Sequence, residues 1–559
     1  MMIPASKALR RAACSLVLLL SSCAGGVAGS APATAGPGTM SLYGAFMAGN
    51  YAAGTGHEAA AARLFAQAIA LDPGNQALLR QGFVTALLAG SPNAPALAAK
   101  LGTDPLAIMV RGNAMMQAGD DAKAAAIFAT MAPDGVTGLI RPLLVAWPEA
   151  GAGETDRAIE LLQGLETTPP FGPVYALNAG LIADLAGRAV QAAPFYAQAE
   201  QAFQAPNLRL AEAIASFQAR QGHRDRADAL LVRMVASHPD LSLALRALEQ
   251  DAADPMIGSA KDGVAEAYLT LAGSINQPQQ VLLRQILLGF ALGLRPDLTA
   301  VRLVRADLDI ALKHPEKAAA DLAKIGPDDP LYGPAVMRRG QILDGLGQGA
   351  PLLPALAALA KAHPHNTAPL TLAADIERDA GHFQAARSLY SRALARLGPN
   401  PPGNAWALYY GRAIAEDKLN DWPAAEADLH RALALQPGQP FVLNYLGYSD
   451  ALHGAHLAQA QAMIEQALQV DPNEGAIIDS LGYVLLRRGK IAEAMKVQIR
   501  AVQAAPDDAE VNAHLADIFA AAGNRLAARN QWARALALHP DKAEAAKIEA
   551  HLKHEAAGS

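Results

Sequence analysis

His453-Gly-Ala-His456 is the best metal-like spacing in this chain, and His363 and His365 form a second close pair. Two imidazoles can share an ion, but a tetrahedral site needs a third and a fourth ligand. His453 and His456 fall where a turn between helices is expected, so solvated loop histidines are the better account, and neither a metal nor any other cofactor is expected. The paired acids Asp507-Asp508 and Asp328-Asp329 lie beside prolines or at predicted helix starts, where carboxylates favour the positive end of the helix dipole. A carbohydrate-cleaving enzyme would need two acids in a cleft lined by aromatics, and here the acids are scattered in step with a repeat. There is no glycine-rich phosphate loop, no His-Glu-x-x-His helix and no Gly-x-Ser-x-Gly elbow. No catalytic residue, and no enzymatic activity, is expected.

Cys14 and Cys23 are the only thiols among 559 residues, so the body of the chain has neither a disulfide framework nor a thiolate site. Lys7, Arg10 and Arg11 precede a nine-residue apolar stretch from Ala12 to Leu20. That pattern reads as a secretory signal, too short to span a bilayer permanently. Its end, Leu20-Ser21-Ser22-Cys23-Ala24, resembles the lipobox of bacterial lipoproteins. The resemblance implies a signal peptide over 1–22, lipidation of Cys23 and, with Ala24 rather than Asp after it, sorting to the outer membrane facing the periplasm. An ordinary secretory signal, leaving a soluble periplasmic or secreted protein, is the alternative. Ala24 to about Thr39 is Gly, Ala, Ser, Pro and Thr with one Val, the composition of a flexible tether.

A net charge of −6 spread over this length offers no footprint for phosphate backbones, so no nucleic-acid partner is expected. Hydrophobic residues make up 52% of the chain and aromatics only 5%. The apolar content is therefore mainly Ala and Leu, strong helix formers and poor strand formers. The length suits three or four globular domains or one repeat array.

Proline spacing decides between them. Pro437, Pro472, Pro506 and Pro540 recur 35, 34 and 34 residues apart, and small residues keep phase with them. Gly482, Gly489, Ala494 and Ala501 mark one unit, and Ala516, Gly523, Ala528 and Ala535, with Trp532 among them, mark the next. Small residues at those offsets let two helix backbones approach; glycine stops the first helix and proline closes the second. The template returns at Gly49, Gly56, Ala61, Phe65, Ala68 and Pro73, and in weaker copies around Gly112, Gly180 and Ala374. Segments 76–104, 241–262 and 300–362 lose parts of it and read as degenerate repeats or inserts. The period is that of the tetratricopeptide repeat (TPR). It predicts an all-α, TPR-type α-solenoid, a right-handed superhelix of about fourteen antiparallel helix pairs.

The segments Trp406-Ala-Leu-Tyr409-Tyr410-Gly-Arg, Val442-Leu-Asn444-Tyr445-Leu-Gly447-Tyr448-Ser449, Asp479-Ser480-Leu-Gly482-Tyr483 and Gln531-Trp532-Ala-Arg534-Ala535-Leu form a distinctive series, and Gly263-Val-Ala265-Glu266-Ala267-Tyr-Leu-Thr-Leu271-Ala272 is a further motif. Together they resemble a family of envelope TPR proteins of Gram-negative bacteria. Relatives with a lipobox and a long TPR array act as outer-membrane adaptors of carboxyl-terminal processing proteases. The resemblance implies the same kind of role here. Tyr483 and Ala516 stand where that family more usually has Trp and Gly.

The expected organisation is a signal peptide (1–22), a lipidated Cys and linker (23–40), an N-terminal TPR array (41–250), central degenerate and regular repeats (251–400), a C-terminal regular array (401–545) and a polar helical or disordered tail (546–559). On the first helix of each unit, positions 2, 5, 9 and 12 share one face, away from the packing seam. That face lines the concave groove. On or beside it are placed Tyr410, Asp417, Asn444, Tyr448, Asp479, Tyr483, Arg487, His514 and Asp517, which could grip an extended peptide. The competing reading buries the Tyr448 and Tyr483 rings in the next repeat. The expected function is a non-enzymatic, lipid-anchored scaffold whose groove binds other envelope proteins, recruiting a processing protease or a cell-wall enzyme. Alternatives are an exopolysaccharide or cell-wall assembly scaffold and a peptidoglycan-binding protein.

Overall fold

A computed structural model of the chain describes residues 40–168, 171–202, 207–275 and 280–557. The signal segment, Cys23 and nearly all of the linker lie outside the described residues. Every regular element among the described residues is helical. The contacts divide the chain into two compact units, one ending at Ile342 and the other beginning at Leu343.

The N-terminal unit opens with α1 (Leu42–Gly54) and α2 (Glu58–Leu71), then α3 (Gln76–Leu88) and the short α4 (Ala94–Ala98). Regular pairs follow: α5 (Pro105–Ala118) with α6 (Asp121–Ala129), α7 (Gly135–Gly151) with α8 (Thr155–Gln163), α9 (Gly172–Leu185) with α10 (Ala189–Ala202), and α11 (Leu208–Arg220) with α12 (Arg224–Ser237). After α13 (Leu245–Asp251) come α14 (Ala260–Ser274), α15 (Val281–Leu294), α16 (Thr299–Ala311), α17 (Pro315–Leu322) and α18 (Tyr332–Gly345).

Close approach within each pair follows from residue size. Gly112 of α5 faces the Phe128 ring so tightly that a methyl group there would overlap it. In α9 and α10, Gly180 and Tyr196 make the same contact. Phe128, Leu162, Tyr196 and Leu231, spaced by about one repeat, are all essentially buried. Turns such as Ala118-Gly119-Asp120 need a left-handed residue, and Gly119 supplies it at φ 75°.

One feature breaks the nearest-neighbour pattern of a solenoid. The α14–α15 hairpin does not stack on α13 but packs across the first helices of earlier repeats, α14 on α7 and α9, α15 on α3 and α5. Gly263 of α14 lies against the Trp147 indole, whose Nε1 donates to Asn178 Oδ1 at 2.8 Å. Tyr268 donates its hydroxyl to Asn113 Oδ1 at 3.0 Å. Arg209 of α11 forks onto the buried Glu266 carboxylate. Further along, Lys317 Nζ reaches Glu58 at 2.9 Å and the Gly56 carbonyl at 3.1 Å, so α17 returns to the turn between α1 and α2. The concave face of the N-terminal repeats is thereby filled by the chain itself.

The C-terminal unit begins with α19 (Leu353–Ala362) and continues in pairs: α20 (Ala368–Asp379) with α21 (Phe383–Leu397), α22 (Trp406–Lys418) with α23 (Trp422–Leu435), and α24 (Pro440–His453) with α25 (Leu457–Val470). Then come α26 (Gly475–Arg487) with α27 (Ile491–Ala504), α28 (Ala509–Ala521) with α29 (Arg525–Ala537), and finally α30 (Lys542–Ala557). Pro437, Pro472 and Pro506 each follow the end of a second helix by two residues. Trp532 is buried in the last pair, and α30 covers it, His551 stacking on the indole with ring centroids 4.9 Å apart. Ile548 is buried beside it. The segment 251–400 is thus shared between the units.

Two glycine substitutions test this packing. Gly112→Leu should lower stability by roughly 1–3 kcal/mol or more, because the Phe128 ring has nowhere to move. Gly289, exposed within α15 with open space around its Cα, should gain about 0.5–1 kcal/mol on replacement by Ala. Thermal unfolding followed by circular dichroism reads both, and equal melting points for the two variants would contradict the seam.

Candidate functional site

In the C-terminal unit the first helices α22, α24, α26 and α28 carry the residues singled out from sequence. Side-chain caps fix where two of them begin. Gln439 and Asp508 cap α24 and α28 through their side chains, and the Asp508 carboxylate accepts from the Val511 amide at 3.1 Å. Because the four helices share one phase, their equivalent positions stand side by side.

Asp479, His514, Tyr483 and Tyr448 converge. His514 Nδ1 lies 2.8 Å from Asp479 Oδ2, and both side chains are buried. The His514 ring packs on Tyr483 with centroids 4.7 Å apart and on Tyr448 at 6.1 Å, and the two tyrosines meet at 5.3 Å. Tyr448 donates its hydroxyl to Glu510 Oε1 at 2.7 Å, linking helices two repeats apart. Arg487 is exposed, its guanidinium 5.7 Å from the Tyr483 ring centroid and donating to the Tyr483 hydroxyl at 3.0 Å.

A second group sits on α22 and α24. Tyr410 meets Tyr445 edge-on at 5.8 Å, and Tyr445 donates to Asp417 Oδ2 at 2.8 Å. Asn444 is half-buried, and its Oδ1 is buried with no protein donor in reach. Asp517 accepts from Trp532 Nε1 at 2.9 Å, so it supports the last helix pair.

The nine residues expected on an open groove therefore divide. Asp479 and His514 are not on the surface: they form a buried ion pair beneath it, a correction that follows from the adjacent helices closing over short side chains. Tyr410, Asp417, Asn444, Tyr448, Tyr483 and Asp517 are half-buried, the tyrosine rings packed on neighbours with one edge outward, and Arg487 is exposed while resting on Tyr483. Tyr445 and Glu510 join the arrangement although positional reasoning passed over them; each lies one helical step from a named position. Gln498 was missed for a different reason. It occupies the slot filled by Ile464 and Trp532 in the flanking repeats, is fully buried against Gly482, and donates to Asp479 Oδ1 and, at 2.9 Å, to the Val511 carbonyl. A polar residue in an apolar register was the available signal.

Electrostatics make this a holding arrangement rather than a reactive one. Burial works against an imidazolium at His514, but the Asp479 carboxylate outweighs it, helped by Glu510 and Asp517, and lifts the pKa to about 9. A base charged at neutral pH and hydrogen-bonded to an acid has no free lone pair to offer substrate. Burial and then the Glu510 carboxylate hold the Tyr448 phenol well above its ordinary range, and burial raises Tyr410 to about 12. The histidine pairs have other duties. His453 stacks on Trp422 at 5.0 Å with Nδ1 2.8 Å from the Ser449 carbonyl, His456 begins α25 with φ 46°, and His365 is exposed in the turn after α19. No group of three or more His, Cys, Asp or Glu side chains among the described residues is placed to hold a metal ion. No described helix is long and apolar enough to cross a membrane.

The His514–Asp479 pair gives stability a pH dependence. A folded pKa of about 9 against about 6.5 unfolded means that the stabilisation is complete below 6.5 and is lost as pH rises through 9. Glu416, raised to about 7 by burial and by Asp428, changes stability only below that value, so the window above pH 7 isolates the histidine. Urea unfolding of the C-terminal unit should weaken by roughly 2–3 kcal/mol between pH 7 and 9.5, and His514→Gln should flatten that dependence. An unchanged slope in the variant would place the titration elsewhere.

No family model matches the chain. A TPR repeat-containing protein of Pseudomonas aeruginosa is 36% identical over 110 residues, which are 20% of this chain and 18% of that protein. The Cut9–Hcn1 hetero-tetramer of the APC/C is similar over 91% of this chain and 95% of that one, at 15% identity and a TM-score of 0.38. A TPR protein from Parabacteroides merdae is similar over 45% of this chain and 97% of its own, at 16% identity and a TM-score of 0.37. YrrB, described as a TPR protein with an unusual peptide-binding site, covers 35% of this chain and 97% of its own at 17% identity and a TM-score of 0.27. With helix pairs repeating in the 34-residue phase, an antiparallel seam of small against large residues and similarity to a TPR repeat-containing protein over 110 residues, the chain is an all-α solenoid of the TPR type.

Proposed function

We propose that this protein is a non-enzymatic interaction scaffold whose C-terminal concave face, along α22, α24, α26 and α28, holds a segment of a partner protein. The observation that carries the reading is the contrast between two concave faces: the N-terminal one is occupied by α14–α15, while the C-terminal first helices present tyrosine edges, the exposed Arg487 and the half-buried Asn444. The Asn444 carboxamide would hydrogen-bond a main chain, the tyrosines would stack on side chains, and Arg487 would pair with an acid. The buried Asp479–His514–Gln498 network beneath fixes the rings in place before binding, which cuts the ordering cost.

The finer reading is that the scaffold is tethered to the bacterial outer membrane through lipid on Cys23, faces the periplasm, and recruits a processing protease or a cell-wall enzyme to its substrates. It is supported by Leu20-Ser21-Ser22-Cys23, by the uncharged linker and by the resemblance of the C-terminal motifs.

Two experiments test this. In a pull-down from detergent-solubilised membranes read by mass spectrometry, Asn444→Ala with Arg487→Ala should lose the partners that wild type retains, while the melting curve stays the same; truncations at such positions cost about 2 kcal/mol of binding each. Recovery of the same partners by a folded double variant would exclude this face. Separately, the mass of the mature N-terminus should show lipid on Cys23, and Cys23→Ser should lower the membrane-bound fraction; an unmodified Cys23 in a soluble wild type would overturn the tether but leave the groove standing.

A further inference from the structure

Helix α1 is apolar on both sides. Its inner face, Ala45, Gly49 and Ala52, is buried against α2, Gly49 touching the Phe65 ring. The opposite face carries Tyr43 at 72% exposure, Met47 at 48% and Tyr51 at 75%, spaced by four residues, with Met40 at 47% just before the helix. Elsewhere exposed apolar side chains such as Val190, Leu282 and Leu526 stand apart, which is ordinary for a protein surface. Three on one face of one helix, with a fourth just before it, is not. α1 is the first element among the described residues.

Its setting points to one occupant. No Asp, Glu, Lys or Arg occurs between Arg11 and Glu58, so α1 itself carries no charged side chain. Tyrosine, with an apolar ring and a polar tip, suits the boundary between headgroups and acyl chains, and methionine adapts to irregular surroundings. Sixteen residues separate Cys23 from Met40, so α1 follows closely in the chain on any anchor at Cys23.

We propose that the outward face of α1, formed by Met40, Tyr43, Met47 and Tyr51, is a lipid-contacting surface that lies in the headgroup region of the bilayer and acts together with the tether. The placement beside a bilayer rests on the Cys23 reading above, but the contact itself does not, and it needs no anionic lipid because α1 carries no cation.

Full-length Cys23→Ser protein, which cannot be acylated there, is tested by flotation with phosphatidylcholine vesicles and with vesicles that also contain phosphatidylglycerol. It should float with both to a similar extent. Adding Tyr43→Glu, Met47→Glu and Tyr51→Glu should cut the bound fraction about tenfold or more with an unchanged melting curve; Tyr43→Ser with Tyr51→Ser, a milder change, serves if the glutamates unfold α1. Failure of the Cys23→Ser protein to float at millimolar lipid, or equal flotation of the variants, overturns the proposal. So does a Cys23→Ser dimer in sedimentation that the glutamates dissociate without any vesicle binding, which would assign the face to a second copy. Absence of lipid on wild-type Cys23 would remove the tether and leave the flotation result to decide the α1 face by itself.

Discussion

Everything in this molecule depends on how close two antiparallel helices can come. Where the first helix offers Gly and the second a ring, as at Gly112 against Phe128 or Gly180 against Tyr196, the backbones meet with no void. That contact sets the angle within a pair, and the angle sets where the next pair must stack. The first helices are thereby kept in phase, so side chains from successive repeats meet on one face. Tyr448, Tyr483 and His514, each from a different repeat, form a cluster for this reason alone.

The two units use that phase differently. In the N-terminal unit, α14 and α15 lie on the face made by α3, α5, α7 and α9, and the buried Arg209–Glu266 pair with the Tyr268–Asn113 hydrogen bond fixes their register. Breaking such a buried pair leaves an uncompensated charge, which is a strong constraint on orientation even where the net gain in stability is small. The hairpin makes this unit a filled body rather than an open spring. In the C-terminal unit the corresponding face bears polar and aromatic groups, and α30 closes the array by covering Trp532 and burying Ile548.

Gln498 shows how the repeat accommodates a local departure. At a position that otherwise takes a large apolar side chain, its amide ties Asp479 of α26 to the Val511 carbonyl of α28. The Asp479 carboxylate then holds His514 charged, and the rings of Tyr483 and Tyr448 pack over the imidazole. A polar network in a core costs desolvation, offset here where the Gln498 amide nitrogen and the His514 ring are each hydrogen-bonded to Asp479. The result is a rigid floor under the exposed edge of the concave face.

Most of the architecture was legible from residue types alone. Helix content follows from an Ala- and Leu-rich composition, pair boundaries from Gly489 and Gly523 in left-handed turns and from Pro437, Pro472 and Pro506 just past second helices. Those features act locally, within one turn or one repeat, so sequence order carries them. The placement of α14–α15 across α7 and α9 was not legible, because Gly263 and Trp147 stand more than a hundred residues apart and nothing in either neighbourhood names the other. Nor was the fate of Asp479 and His514. Helical phase put them on the right face, but whether a short side chain on that face reaches solvent depends on how far its neighbours lean over it, and only the stacking of α26 on α28 decides that.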